Sequence, residues 1–182
     1  MYETIKIEKI EKSCPACEDY SDENSTNPPR IAVMACEGAC AKGEVARQAA
    51  NIVAHKLARE NTVRICLGSA FTKDSGQRNL VRRANKTIAI EGCFISCSSR
   101  MMKGVLPGLR PEIVQADTLY ETSLPFGVDE VSEEELRKCA QIVANTIARE
   151  YINNTILAGE TELKKESTCT PAKNKKSSCC GN

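Results

Sequence analysis

The sequence contains no tryptophan, and aromatic residues make up only 4% of its 182 positions. Aliphatic side chains and alanine must therefore fill any interior. The 41% hydrophobic content is adequate for one domain of about 100–150 residues with tails. Neither sign of charge is in excess: 25 Lys and Arg stand against 24 Asp and Glu, a net charge of +1, so nothing points to a nucleic-acid or membrane partner. No run approaches the ~18 apolar residues of a membrane span. Met1–Lys6 also lacks the basic-then-apolar order of a signal peptide, so a cytoplasmic protein is the expectation. The single histidine, His55, falls among Gln48, Asn51, Lys56 and Arg59 on the polar side of a helical pattern, and reads as a surface residue rather than a ligand. Phosphate signatures are missing too: there is no P-loop and no Gly-x-Gly-x-x-Gly. Six residues after Cys36 and Cys93, where a phosphatase loop carries Arg, stand Lys42 and Ser99.

What the chain has in quantity is cysteine, eleven in all. In a reducing compartment a disulfide framework is not expected, and an odd count fits one poorly, so metal binding or thiol chemistry is the default. Some cysteines are expected to be inert core residues. Cys139, beside the apolar stripe of the last helix, is the clearest of these. Two echoing stretches carry the rest of the argument. Ile31-Ala32-Val33-Met34-Ala35 runs into Cys36-Glu37-Gly38-Ala39-Cys40, and Ile88-Ala89-Ile90 runs through Glu91-Gly92 into Cys93-Phe94-Ile95-Ser96-Cys97.

Residues 1–30 read as a cysteine-bearing arm, polar and acidic over Glu18–Asn24 and closed by Pro28-Pro29, which forces an extended entry. Within it, Cys14-Pro15-Ala16-Cys17 has the spacing of half a zinc knuckle, which needs a second pair to be complete. Residues 31–158 form the expected domain. Ile31–Ala35 is strand-like, and 44–60 is an amphipathic helix carrying Val45, Ala49, Ile52, Val53 and Leu57. Thr62–Gly68 is a second strand, 72–84 a shorter helix, and Lys86–Ile90 a third strand. A helix over Phe94–Val105 ends at Pro107 and Pro111, and a fourth strand centres on Ile113-Val114. Ser132 followed by Glu135 is a capping box opening a last helix with Leu136, Ala140, Val143, Ile147 and Tyr151 on its stripe. Residues 159–182, rich in Lys, Glu, Ser and Thr, form an expected solvated tail with Cys169, Cys179 and Cys180. Alternating strands and helices predict an α/β, three-layer, Rossmann-like fold with a mostly parallel sheet of β-α-β units.

That topology gives the thiols a shared address, because ligands of open α/β sheets bind beyond the carboxyl ends of the strands. With right-handed crossovers, strand one sits between two and three. Cys36, Cys66 and Cys93 then share one edge; Cys97 is a fourth donor, and Cys40 its alternate. Four thiolates make a soft tetrahedral site, suited to zinc or an iron–sulfur cluster. Glu37 and Glu91 stand beside thiols as candidate outer acceptors or bases, with a solvated loop carboxylate as the plain alternative. For Cys66, in an apolar run, the alternative is a buried core residue.

Residues 31–105 resemble the zinc-binding family named for its Asp-Gly-Cys motif, the DGC domain. The resemblance rests on Cys36 after the first strand, Cys66-Leu67-Gly68 at the second and Glu91-Gly92-Cys93-x-x-x-Cys97 at the third. Val45–Ala50 and Arg83-Ala84-Asn85-Lys86 also fit. It implies zinc binding by Cys36, Cys66, Cys93 and Cys97. The chain departs in having Glu91 where the motif has Asp, and in carrying Cys40 where a small or polar residue is commoner.

Three functions stay open at this stage: a zinc-binding protein, a soft-ion or metalloid handler using the arm and tail thiols, and a thiol or persulfide redox enzyme with Cys93 or Cys36 as nucleophile. A metal ion is the expected partner. Whether the protein is an enzyme, and whether it forms a homodimer, is left open.

Overall fold

A computed structural model describes residues 3–153 except 9, 13 and 75; the tail with Cys169, Cys179 and Cys180 lies outside the described residues. The ten regular elements that matter here are α1 (Pro15–Glu23), β1 (Ile31–Ala35), α2 (Ala41–Ile52), β2 (Thr62–Arg64), α3 (Leu67–Thr72), α4 (Gly76–Arg83), β3 (Thr87–Glu91), α5 (Cys97–Val105), β4 (Glu112–Gln115) and α6 (Glu133–Ile147). The strands form one all-parallel sheet in the order β2-β1-β3-β4. As expected, β1 is central, flanked by β2 and β3.

Both faces of the sheet are covered, which is why its strands read as continuous apolar runs rather than alternating ones. Alternation decides which side each residue serves. Val33, Ala35, Ile88 and Ile90 pack with α2 and α6 on one face, whereas Ala32, Met34 and Ala89 pack with α3, α4 and α5 on the other. Burying side chains such as Ile88 and Ile90, both wholly enclosed, stabilises by ~1.5–3 kcal/mol each. Exposed ion pairs such as Arg137–Glu133 contribute about 0–1 kcal/mol. The two helix–sheet layers therefore hold the fold.

Several boundaries differ from the sequence reading. The helix placed at 72–84 is α4, Gly76–Arg83, and a further helix, α3 at Leu67–Thr72, precedes it where the second strand was expected to end. β2 stops at Arg64, so Cys66 lies past the strand and caps α3. The amphipathic helix at 44–60 starts earlier, at Ala41, and its last stretch, Val53–Leu57, is a π-helical turn. The predicted helix over 94–105 begins only at Cys97, because Ser96 takes a left-handed conformation (φ 53°) that interrupts it. Ser132 does cap α6, its side chain accepting from Glu135 N. Within the N-terminal arm, α1 was not anticipated: Pro15, disfavoured inside a helix but preorganised for its first turn, starts it after an extended Cys14. Tyr20 anchors α1, its hydroxyl donating to Arg64 O at 3.1 Å and accepting from Arg64 N at 3.2 Å.

Candidate metal centre

The sequence-predicted residues fall along the carboxyl edge of the sheet. Cys36 directly follows β1, and its N–H donates to Ile90 O at 2.9 Å, continuing the β1–β3 ladder past the strand end. It is buried, 6% exposed. Burial pushes its thiol pKa up; amides of Gly38 and Gly92 pull it part of the way back, and negative charge on Cys97 and Glu91 pushes it up further. Cys40 is the N-cap of α2, with its sulfur accepting from Gly43 N at 3.4 Å. A Cβ on Gly38 would lie 3.3 Å from Cys36 Sγ and 3.8 Å from Cys40 Sγ, so both sulfurs cover one side of that glycine.

The third strand supplies the second loop. A Cβ on Gly92 would meet Lys42 O and Gly43 N at 2.8 Å, closer than real contacts allow. Glycine is required there because the two cysteine loops touch backbone to backbone. Cys93 is half-buried after this contact, and Cys97 is exposed at the first position of α5. Lys42 reaches over the same ground. Its ammonium is 2.8 Å from Asp117, which raises the lysine's pKa, and negative charge on Cys93 and Cys40 adds to the effect. Burial opposes ionisation of Asp117, but bonds from Lys42 and Gln115 outweigh it and leave its pKa lowered.

The two glutamates have different settings. Glu91 is wholly buried and accepts from Ser98 N at 3.2 Å, Ser98 Oγ at 2.7 Å and Ser99 N at 2.7 Å. Reaching across from β3, it satisfies the free amides at the start of α5, a helix whose own N-cap, Ser96, makes no side-chain cap. The solvated alternative is overturned for Glu91. The exposed Glu37 is bonded by Arg64.

Cys66 is exposed, which removes the buried-core alternative, and its N–H donates to the buried Gln77 Oε1 at 3.2 Å. It lies with Cys17 of α1 on the wall of a cavity of about 620 Å3. Cys139 is core, 1% exposed, as expected, and His55 is exposed. The structure thus sets Cys40 and Cys97 each near Cys36, puts Lys42 beside Cys93 and Cys40, and sets Cys66 beside the arm. Among the described residues no three Cys, His, Asp or Glu side chains are already gathered closely enough to hold an ion. The chemistry of the donor set, four thiol sulfurs, suits a soft metal.

Sequence reasoning missed two things here. The cap made by Glu91 had a signal, Ser98-Ser99 seven and eight residues on, but no rule links a strand-end acid to the next helix. The approach of Cys17 to Cys66 had a signal in Pro15, which marks a helix start.

The sequence model of one family, described as the DGC domain, matches residues 32–143, well over half of the chain, and these residues contain the sheet, the thiol edge and most of α6. No curated protein matches the chain, and no solved structure does. The family match and the cysteines are compatible with a metal-binding role.

Proposed function

Because the chain belongs to the DGC-domain family, we propose that it binds zinc through cysteine thiolates at the carboxyl edge of its sheet, with Cys36, Cys66, Cys93 and Cys97 as ligands. One observation carries the reading: these four thiols follow the ends of three adjacent parallel strands, β2, β1 and β3. Binding requires the outer thiols to turn toward Cys36. The segment from Cys93 to Cys97 is suited to that, since Phe94 (78% exposed) and Ile95 are not packed into the core. Cys36 is the fixed point, and Gly92 keeps its loop against the Cys93 loop. Lys42 offsets part of the negative charge that four thiolates accumulate. Cys40 is already engaged as the cap of α2, which favours Cys66 as the fourth donor.

Four thiolates make a closed structural site, whereas three leave a position where the ion acts as a Lewis acid. Zinc per chain, measured on purified wild type, Cys93→Ser, Cys66→Ser and Cys40→Ser, tests the assignment. One equivalent in wild type and Cys40→Ser, and loss in the other two, is expected. Undiminished zinc in Cys93→Ser refutes the ligand set, and brown, iron-containing protein refutes zinc itself.

A further inference from the structure

Outside the family match lies a second pair of sulfurs, on α1. Cys14 caps this nine-residue helix and Cys17 closes its first turn, Cys17 N donating to Cys14 O at 3.0 Å. A turn of this kind holds its first and fourth Cα atoms within about 7 Å, the span over which a disulfide closes.

The sulfurs are not equivalent. Cys14 is exposed, and the nearby backbone amide of Cys17, with the Cys17 side chain and the Ala16 amide, holds its pKa below the ordinary thiol value. Cys17 is half-buried. Burial raises its pKa, and the adjoining Cys14 side chain and negative charge on Cys14 and Cys66 add to that, with Ser69 opposing. The pair is held in place: besides the Tyr20 bonds to Arg64, Lys73 Nζ lies 3.1 Å from Glu18 on the same turn. Beside it opens the cavity of about 620 Å3, whose wall includes Cys17, Tyr20, Arg64, Cys66, Leu67 and Gln77. That size and mixture of apolar and polar lining suit a small molecule. A zinc knuckle would need two further donors. Cys66 is the one thiol shown near the pair, and no three donors are gathered among the described residues.

We propose that Cys14 and Cys17 form a redox-active dithiol that reduces a small organic disulfide bound in the cavity beside α1. Cys14, having given its proton to solvent, attacks one sulfur of the substrate R–S–S–R. The substrate S–S bond breaks, a Cys14–S–S–R bond forms, and RS⁻ leaves and takes a proton. Cys17 then loses its proton and attacks the Cys14 sulfur, forming the Cys14–Cys17 disulfide and releasing the second RS⁻, which is protonated. Two electrons pass from the dithiol to the substrate, giving two RSH. An external dithiol reverses the exchange on the protein.

The full chain, purified under reducing conditions and freed of reductant, is mixed with oxidised glutathione and mapped by mass spectrometry after acid quench. Wild type is expected to carry a Cys14–Cys17 link, and Cys17→Ser to accumulate glutathione on Cys14. Cys14→Ser is expected to consume the probe at least about tenfold more slowly. Zinc per chain in a Cys14→Ser, Cys17→Ser double variant should equal wild type, which separates this pair from the metal ligands. A Cys17–Cys66 link in place of Cys14–Cys17, a wild-type rate in Cys14→Ser, or zinc loss in the double variant overturns the proposal. The failure of zinc binding at Cys93 leaves the three thiol readouts intact.

Discussion

Replacing Glu91 with Ala removes the acceptor of three buried hydrogen bonds, from Ser98 N, Ser98 Oγ and Ser99 N. Each buried donor left without an acceptor costs about 1–3 kcal/mol, and losing a helix cap alone costs about 0.5–2 kcal/mol. With some relaxation and entry of water, the expected loss is about 3–5 kcal/mol, a large part of the ~5–15 kcal/mol that stabilises a domain. At roughly 2–4 °C per kcal/mol for a chain of this size, the melting temperature falls by about 6–20 °C. Glu91→Gln keeps one carbonyl but turns an NH2 donor toward other donors, for a loss of about 1–3 kcal/mol. Glu91→Asp, which restores the acid of the family motif, keeps the charge but shortens the arm by a methylene. Its loss should be smaller than that of Ala. Urea unfolding followed by circular dichroism, with a chelator present so that metal cannot mask the effect, gives the ranking. A Glu91→Ala protein within about 1 kcal/mol of wild type refutes the cap. So does a Glu91→Gln protein of unchanged stability that has lost zinc, since the carboxylate would then be a ligand.

Two other outcomes are checked on the metal-free chain. Cys36 has a pKa raised above the ordinary thiol value of 9.0, so on raising the pH the unfolded chain loses this proton before the folded chain does. Fewer protons on the unfolded state means that stability falls as pH climbs from the unfolded thiol value toward the folded one. Cys36→Ser should flatten that alkaline limb in pH-resolved denaturation, and an unchanged slope would remove Cys36 as its source. Tyr120, 9% exposed, has a buried hydroxyl with no hydrogen-bond partner, and its pKa is raised by burial and by nearby Cys139, Asp117 and Cys40. Tyr120→Phe is therefore expected to be neutral or to stabilise by up to about 1 kcal/mol, and a clear loss of stability would show that the hydroxyl is bonded in solution.

The layer order of the sheet was legible because parallel pairing needs crossovers and the two faces need cover. Those constraints put β1 in the middle before any coordinate is seen. The helix starts were less legible. Ser132 announced α6 because its cap is local in sequence, four residues within one turn. The start of α5 was hidden because its cap, Glu91, comes from the preceding strand, and the residue at the cap position, Ser96, is left-handed. The same difficulty hid α1. Pro15 marked a helix start, but the polar run after it has no apolar stripe, and the segment is held through Tyr20 and the Glu18–Lys73 ion pair, both distant in sequence from their partners.

Glu91-Gly92-Cys93-x-x-x-Cys97 can be understood as one mechanical unit. The acid fixes where α5 begins, the glycine lets the loop close on Lys42 and Gly43, and Cys97 is thereby set near Cys36 and Cys93 near Lys42. An acid in this position needs no proton-transfer role to be required, because without it the amides of α5 have no acceptor and Cys97 loses its fixed origin. The second-strand thiol is different. Cys66 opens α3 and shares a cavity wall with Cys17 of α1. It stands between two sulfur groups, the motif on one side and the arm dithiol on the other. The zinc content of Cys66→Ser and the disulfide map of wild type assign it to one of them.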